Sequence, residues 1–285
     1  MDAFRRDGLV FPVRETGPAS GPVVILLHGF PQLSTIWDRV TPPLAAAGYR
    51  CLAPDQRGYA PGARPRGRRG YRISELVADT FALADAAGAE QVHLVGHDWG
   101  AAVAWAAAAS RPDRVRSLAA LSVPHPAAFA RAVATSRQFL ASWYMYAFQL
   151  PFLPERYLTG GGGEPWHRLA RALRRSGQHP ARAERDARAM VTSGALHGAI
   201  QWYRALPVTD PRPSLTRATV PVLYVWSDGD AAVLRPAARR CADFVTGPFR
   251  CEVLTGVSHW IPDEVPDQLA ALLLPHLDAV AAAQP

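Results

Sequence analysis

The chain is 285 residues long, 49% hydrophobic and 19% charged, a globular composition that excludes an intrinsically disordered protein. Its formal net charge is +7, and apart from histidine every basic side chain is arginine. The arginines are scattered without a binding motif, so we expect no nucleic-acid partner. The first residues lack the apolar region of a signal peptide, and no stretch approaches the roughly 18 apolar residues of a membrane span. We therefore expect a cytoplasmic protein with no membrane partner.

Strands and helices alternate in the first part of the chain. The patterns predict, in chain order, a strand at 9–13, a strand at 22–27, a helix at 37–47, a strand at 49–53, a helix at 73–87, a strand at 91–95, a helix at 101–109 and a strand at 117–121. The run at 22–27 is apolar throughout, which is typical of a strand buried on both faces of a parallel sheet. The alternation indicates βαβ units and a mostly parallel sheet.

After residue 123 the pattern changes. Residues 124–216 are helical and aromatic, which indicates a helical cap inserted into the sheet domain. A strand at 220–225, a helix at 234–244, a strand at 249–254 and a helix at 265–282 then follow. We predict an α/β fold with a mostly parallel central sheet flanked by helices, whose core combines residues 1–123 with residues 217–285 around the cap.

The strand at 91–95 ends at the run GHDWG, residues 96–100, directly before an alanine-rich helix. A Gly-x-nucleophile-x-Gly run between a strand and a helix is a nucleophile elbow, and the central residue here is Asp98. The simplest alternative is that Asp98 only caps the helix. Against it, Asp230 and His259 each follow a later strand, in the order nucleophile, acid, base. Asp228 is a second candidate for the acid.

Four segments carry a resemblance to a known family: HGFP at 28–31, DQRGY at 55–59, GHDWG at 96–100 and SHW at 258–260. With them the chain resembles the epoxide hydrolases of the α/β-hydrolase fold, in particular the branch related to soluble epoxide hydrolase. The resemblance spans nearly the whole chain. It departs from the family at Ser227 and Ser258, where glycine is usual, and neither change removes a reacting group.

The resemblance implies a role for each matching residue. Asp98 would be the nucleophile, His259 the base and Asp230, preferred to Asp228, the acid that orients it, while the N–H groups of Phe30 and Trp99 would form the oxyanion hole. Two cap tyrosines, Tyr144 and Tyr203, would protonate the opened ring. Residues expected to contact substrate are Trp37, Trp99, Phe148 and Trp202. The partners would be a small hydrophobic epoxide and water; no histidine, cysteine or acidic cluster has zinc-like spacing, so we expect no metal or other cofactor.

Two other functions remain open on the sequence. A haloalkane dehalogenase also uses an aspartate nucleophile followed by tryptophan, with a second halide ligand that is often asparagine at the position of Phe30, or else a cap tryptophan such as Trp143, Trp166 or Trp202. A binding protein could also use the pocket without turnover, because a fold does not fix a function. The sequence leaves the oligomeric state undetermined.

Overall fold

A computed structural model describes residues 1–281, and its centre is one eight-stranded sheet with the order β1-β2-β4-β3-β5-β6-β7-β8. The pairs β1–β2 and β2–β4 are antiparallel. All the other neighbouring strands, from β4 to β8 in that order, pair in parallel. The strands are β1 (Ala3–Arg6), β2 (Leu9–Thr16), β3 (Val23–Leu27), β4 (Arg50–Pro54), β5 (Val92–His97), β6 (Val115–Leu121), β7 (Val222–Ser227) and β8 (Phe249–Leu254). The predicted α/β-hydrolase class of fold is confirmed.

Helices cover the sheet and form the insertion. Before the insertion lie α1 (Thr41–Ala46), α2 (Ile73–Ala86) and α3 (Trp99–Ser110). Between β6 and β7 lie α4 (Pro126–Thr135), α5 (Gln138–Ala141), α6 (Trp143–Ala147), α7 (Leu153–Thr159), α8 (His167–Arg175), α9 (Pro180–Thr192), α10 (Ala195–Ala205) and α11 (Arg212–Leu215). After β7 lie α12 (Arg235–Arg239), α13 (Ile261–Glu264) and α14 (Pro266–Ala281). The insertion is therefore helical throughout its regular elements.

The apolar core has two parts. The larger cluster joins α2, α3 and the cap helices, and contains Trp105 and Trp202. The other lies where α1 and α14 pack, and contains Trp37 and Leu277. β3 and β5 are buried along their whole length, as expected of central strands covered on both faces.

Several predicted boundaries are wrong. The helix predicted at 37–47 begins only at Thr41, because Pro42 and Pro43 fit the first helical turn but not its interior. The helix predicted at 234–244 ends at Arg239 and gives way to a 3-10 turn. β1 was not predicted, and the last residue of the predicted final helix lies outside the described residues. No described helix has the length and hydropathy needed to cross a bilayer.

Candidate active site

Asp98 occupies a tight turn between β5 and α3. Its φ of 52° lies where few non-glycine residues are found. The two flanking glycines make this turn possible, because a Cβ at Gly100 would lie 2.0 Å from the Leu27 carbonyl oxygen and one at Gly96 would lie 2.3 Å from the Gly100 oxygen. The Asp98 side chain makes no capping hydrogen bond to α3. Simple helix capping therefore does not explain this aspartate.

Backbone donors surround one oxygen of the Asp98 carboxylate. The Phe30 N–H donates to Oδ1 at 2.8 Å, and glycine at position 29 leaves room for that oxygen, which a Cβ there would approach to 2.5 Å. Burial alone would raise the pKa of Asp98, but His259, His97 and the Trp99 N–H lower it below its ordinary value. The carboxylate is thus ionised, and Oδ1 accepts a hydrogen bond from one of the two expected oxyanion-hole groups, the Phe30 N–H.

His259 lies between two carboxylates. Its Nδ1 is 2.9 Å from Asp230 Oδ2, and its Nε2 is 3.6 Å from Asp98 Oδ2. The other oxygen of Asp230 accepts hydrogen bonds from the Ala232 and Val233 N–H groups. Asp228 instead accepts from the Gly256 N–H. Of the two candidate acids, the structure therefore places Asp230 beside the imidazole.

His259 and the two carboxylates stabilise each other's charged forms. Burial alone would lower the pKa of His259, but Asp230 and Asp98 raise it to about 10. Burial would likewise raise the pKa of Asp230, whereas the charge and hydrogen bond of His259 hold it below its ordinary value. The site thus holds two carboxylates around one imidazolium in a buried environment.

Ser122, at the end of β6, also belongs to this group and was missed from the sequence. Its hydroxyl donates to Asp230 Oδ2 at 2.5 Å and lies 2.8 Å from His259 Nδ1. The residue is fully buried and has a φ of 67°. A serine after a strand matches no local motif, so only its position at the end of a neighbouring strand could have drawn attention to it.

An aromatic wall covers Asp98 from the cap side. Tyr203 contacts the rings of Phe30, Phe148 and Trp99 with centroids 5.0–5.5 Å apart, in edge-to-face geometry. Tyr144 lies 6.0 Å from Tyr203, centroid to centroid. Five of the expected site residues therefore lie in one aromatic cluster: Phe30, Trp99, Tyr144, Phe148 and Tyr203.

Hydrogen bonds between α6 and α10 hold the two tyrosines in register. Gln149, just after α6, donates to the Tyr203 carbonyl oxygen at 2.7 Å. Arg204, next to Tyr203, donates to the carbonyl oxygens of Phe148 and Leu150 and forms a two-pronged ion pair with Glu155. The bidentate pair fixes the guanidinium, and with it the relative position of the two segments.

Both tyrosines are held in the protonated form. Burial raises the pKa of Tyr144, and the negative charge of Asp98 raises it further. Burial also raises the pKa of Tyr203 well above its ordinary value, with Tyr144 and Asp98 adding to the effect. Two neutral hydroxyl donors therefore lie within the electrostatic influence of the Asp98 carboxylate.

Comparison with known proteins places the chain in a family. The sequence profile of the α/β-hydrolase fold matches residues 22–266. Epoxide hydrolase A of Mycobacterium tuberculosis is 33% identical, with 95% of each chain covered, and human epoxide hydrolase 4 is 31% identical over 95% of this chain and 76% of its own. The crystal structure of epoxide hydrolase A from Mycobacterium thermoresistibile superimposes with a TM-score of 0.83 at 28% identity, covering 97% of both chains.

This chain belongs to the epoxide hydrolase family of α/β-hydrolases. The predicted family is confirmed. The motif histidines of this epoxide hydrolase bind backbone groups: His28 Nε2 accepts from the Gln56 N–H at 3.1 Å, and His97 Nε2 lies 2.9 Å from the His259 carbonyl oxygen. Within the described part of the chain, no group of three or more His, Cys, Asp or Glu side chains is placed to hold a metal ion.

The tryptophans of this epoxide hydrolase differ in their relation to the site. Trp37 packs in the cluster beside α1 and α14, whereas the aromatic wall belongs to the larger cluster, so the structure does not support its expected contact with substrate. Trp202 lies behind Trp99, with ring centroids 5.7 Å apart, and its indole N–H donates to the Arg57 carbonyl oxygen at 2.8 Å. Its N–H therefore has a partner outside the pocket.

Within residues 1–281, neither of the other two cap tryptophans makes a ring contact with the aromatic wall. Trp143 is 66% exposed on the outer side of α6. Trp166 packs under the Arg188 guanidinium, whose carbon is 5.1 Å from the ring centroid. The cap residues in the aromatic wall are two tyrosines and a phenylalanine, and the indole N–H of the neighbouring Trp202 is bound to the Arg57 carbonyl oxygen.

Proposed function

We propose that this enzyme converts an epoxide to a vicinal diol through an alkyl ester on Asp98. The observation that carries the proposal is a buried, ionised carboxylate under two neutral tyrosines, with an imidazole and its orienting acid on the other side. A carboxylate is a weak nucleophile, and a strained epoxide carbon is an electrophile that it can open. The names of the relatives above agree with this reaction.

In the first step Asp98 attacks a ring carbon. Oδ1 accepts the Phe30 N–H hydrogen bond, so Oδ2, which faces His259, is the oxygen that forms the new C–O bond. The ring C–O bond breaks, and the departing alkoxide takes a proton from Tyr144 or Tyr203. The product is a hydroxyalkyl ester of Asp98.

In the second step water cleaves the ester. Alkylation makes Asp98 neutral and so removes one of the two charges that raise the pKa of His259 to about 10. The imidazolium can then lose its proton to solvent, and neutral His259 takes a proton from the attacking water. The oxyanion forms at Oδ1 between the Phe30 and Trp99 N–H groups. Collapse expels the diol alkoxide, which takes a proton from the His259 imidazolium. The new Asp98 carboxyl group returns a proton to His259, and the tyrosinate left by the first step takes a proton from solvent, so that the resting charges are restored.

The aromatic wall supports a hydrophobic substrate. Phe30, Phe148, Trp99 and the two tyrosine rings offer apolar area and few polar groups besides the hydroxyls that the chemistry uses. A pocket of this kind selects by shape and apolar contact. Trp202 does not support the dehalogenase alternative, because a halide would need a second N–H donor and the N–H of Trp202 is already bound to the Arg57 carbonyl oxygen.

A single turnover in heavy-oxygen water tests the covalent step. The first diol should carry the ordinary oxygen of Asp98, and the heavy oxygen should appear in the Asp98 carboxylate, as read by peptide mass spectrometry. Heavy oxygen in the first diol would show direct attack by water and would overturn the proposal. A pocket that binds the epoxide and forms no diol would favour the binding-protein alternative.

A second test traps the intermediate. His259→Gln should form the ester but hydrolyse it slowly, so intact-protein mass spectrometry should show an adduct with the mass of the epoxide. His167→Gln, at an exposed cap histidine, is the matched control and should show none. Absence of an adduct in His259→Gln would contradict the assigned roles.

A further inference from the structure

The outer surface of the cap concentrates exposed apolar side chains. Of the eleven large apolar side chains that are exposed among the described residues, eight lie between residues 139 and 157. The most exposed are Phe152 at 76%, Trp143 at 66%, Leu140 at 64% and Tyr157 at 64%. Isolated exposed apolar residues are ordinary, but a concentration of this kind marks an interaction surface.

The same surface is strongly basic. Residues 131–175 contain seven arginines and two glutamates, so they carry a net charge of +5 out of +7 for the whole chain. All seven arginines are exposed, and none forms an ion pair within residues 1–281: Arg131, Arg137, Arg156, Arg168, Arg171, Arg174 and Arg175. One of the glutamates, Glu155, is already paired with Arg204. We call the exposed side chains of residues 131–175 the cap face.

Two groups of packed helices carry the cap face. α4 packs on α5, α5 on α6 and α7 on α8. The rings of Phe139 and Tyr146 are 5.5 Å apart, and the Arg168 guanidinium lies 5.2 Å from the Tyr157 ring centroid. One arginine of the cap face therefore lies against one of its exposed aromatic rings.

From this combination we propose that the cap face docks on an anionic lipid surface. Tryptophan and tyrosine favour the membrane interface, and arginines that lack acidic partners gain from a negatively charged headgroup layer. A second copy of the chain would bring two faces of the same sign together, which charge repulsion opposes. The expectation of no membrane partner depended on the absence of a membrane-spanning segment from the sequence. That absence says nothing about a surface that binds a bilayer without crossing it.

Docking would place the reactive cap segment beside the bilayer. On α6, Trp143 faces outward while the adjacent Tyr144 packs inward against Phe148 and Tyr203. An apolar substrate dissolved in the lipid would then have a short route to the site. The docking itself does not depend on the proposed function, because it can be measured without turnover.

Flotation with lipid vesicles tests the proposal. The full chain should float with vesicles of equal parts phosphatidylcholine and phosphatidylglycerol, stay behind with phosphatidylcholine alone, and dissociate from the anionic vesicles at high salt. Reversing three charges of the cap face, Arg168→Glu with Arg171→Glu and Arg174→Glu, should weaken the partition by at least about tenfold. The matched control reverses Arg66, Arg68 and Arg69, which are also exposed but lie in a core loop, and should bind more tightly than the cap-face variant.

An apolar pair of variants separates insertion from attraction by charge. Phe152→Ser with Leu153→Ser should weaken binding to anionic vesicles, whereas Leu206→Ser with Leu215→Ser, also exposed, should not. Circular dichroism and the unfolding midpoint check that each variant is folded. Absence of vesicle binding, equal binding to neutral vesicles, or equal loss in the core-loop control would each overturn the proposal. A further outcome would also overturn it: the wild type is a dimer in light scattering and does not bind vesicles, and Phe152→Ser with Leu153→Ser makes it monomeric.

Discussion

At the scale of single residues, the protonation of His259 determines the charge of the candidate site. It is buried, which alone would lower its pKa, and yet two carboxylates raise that pKa to about 10. The resting site therefore contains an imidazolium that neutralises part of the charge of Asp98 and Asp230. The proposed base is produced only when Asp98 loses its charge, so the order of the two chemical steps follows from the electrostatics.

Asp98→Asn should lower the pKa of His259, because one stabilising charge is removed. Asp230→Asn should lower it more, since Asp230 has the larger effect. NMR titration of the labelled His259 ring measures both. The raised pKa means that the imidazolium stabilises the fold fully below its ordinary pKa of about 6.5, and that this contribution is lost as pH rises through about 10. In Asp98→Asn that loss should occur at lower pH; an unchanged His259 pKa would contradict the assignment.

Ser122→Ala should slow hydrolysis of the Asp98 ester by about tenfold, because a hydrogen bond to a buried charged carboxylate contributes about 1.5 kcal/mol. Formation of the ester should change less, since Ser122 contacts Asp230 and His259 and not Asp98. Rapid-quench mass spectrometry separates the two rates. Ser227→Ala is the control, because this equally buried hydroxyl donates to the Ser258 carbonyl oxygen instead. Equal slowing of both steps would indicate a general loss of structure.

At the scale of elements, a buried network of hydrogen-bonded polar side chains, here called the joint, connects the cap to the core. Asp186 on α9 and Asp263 on α13 both accept hydrogen bonds from the Gln32 side-chain amide, at 2.9 and 2.8 Å. Gln178 donates to the same two oxygens, and Arg182 and Arg185 balance the charge. Gln32 follows the oxyanion-hole loop, and Asp263 follows His259 by four residues. The joint therefore ties α9 to both loops that carry reacting groups.

Gln32→Leu should destabilise the protein by about 2–3 kcal/mol, because it leaves two buried carboxylates short of a donor. Urea unfolding measures the loss of stability. Hydrogen exchange should become faster in α9 and remain slow in β3 and β5, since the joint holds the cap and not the sheet. Gln268→Leu, at an exposed position of α14, is the control and should have little effect. Unchanged exchange in α9 would show that the joint does not hold the cap.

At the scale of the whole molecule, local patterns predicted the sheet and the elbow, since each depends on neighbours in sequence. The residues 96–100 carry their own turn glycines, and β3 is apolar along its length. Other features depend on contacts between distant parts of the chain. Ser122 meets Asp230 across 108 positions, and Gln32 meets Asp186 across 154.

Local sequence patterns also did not predict which side of the sheet a residue faces. Trp37 lies near the HGFP segment in sequence, but the 3-10 turn at Ser34–Trp37 directs it into the cluster beside α14. Trp202 and Tyr203 are neighbours, and only Tyr203 also contacts Phe30 and Phe148. The sequence therefore predicted the residues that meet at the candidate site better than the residues that support them.

Cap and core approach closely at Gly198 on α10, where a Cβ would lie 2.2 Å from the Gly58 carbonyl oxygen. Gly198→Ala should therefore lift α10 and break the bond from Trp202 to Arg57. Overpacking costs about 1–3 kcal/mol, and alanine in a helix returns up to about 1 kcal/mol, so a net destabilisation of about 1–2 kcal/mol is expected. Ester formation should also slow, because Tyr203 lies on the displaced helix.

Urea unfolding and the single-turnover rate test this expectation together. Gly162→Ala is the matched control, because a Cβ there meets no atom within 4 Å. If Gly198→Ala only destabilised α10 locally, the rate of ester formation would follow the fraction folded; a slower rate in fully folded protein shows instead that cap seating places Tyr203. A variant of wild-type stability and rate would mean that the contact between Gly58 and Gly198 does not position the cap, and that the joint at Gln32 holds it alone.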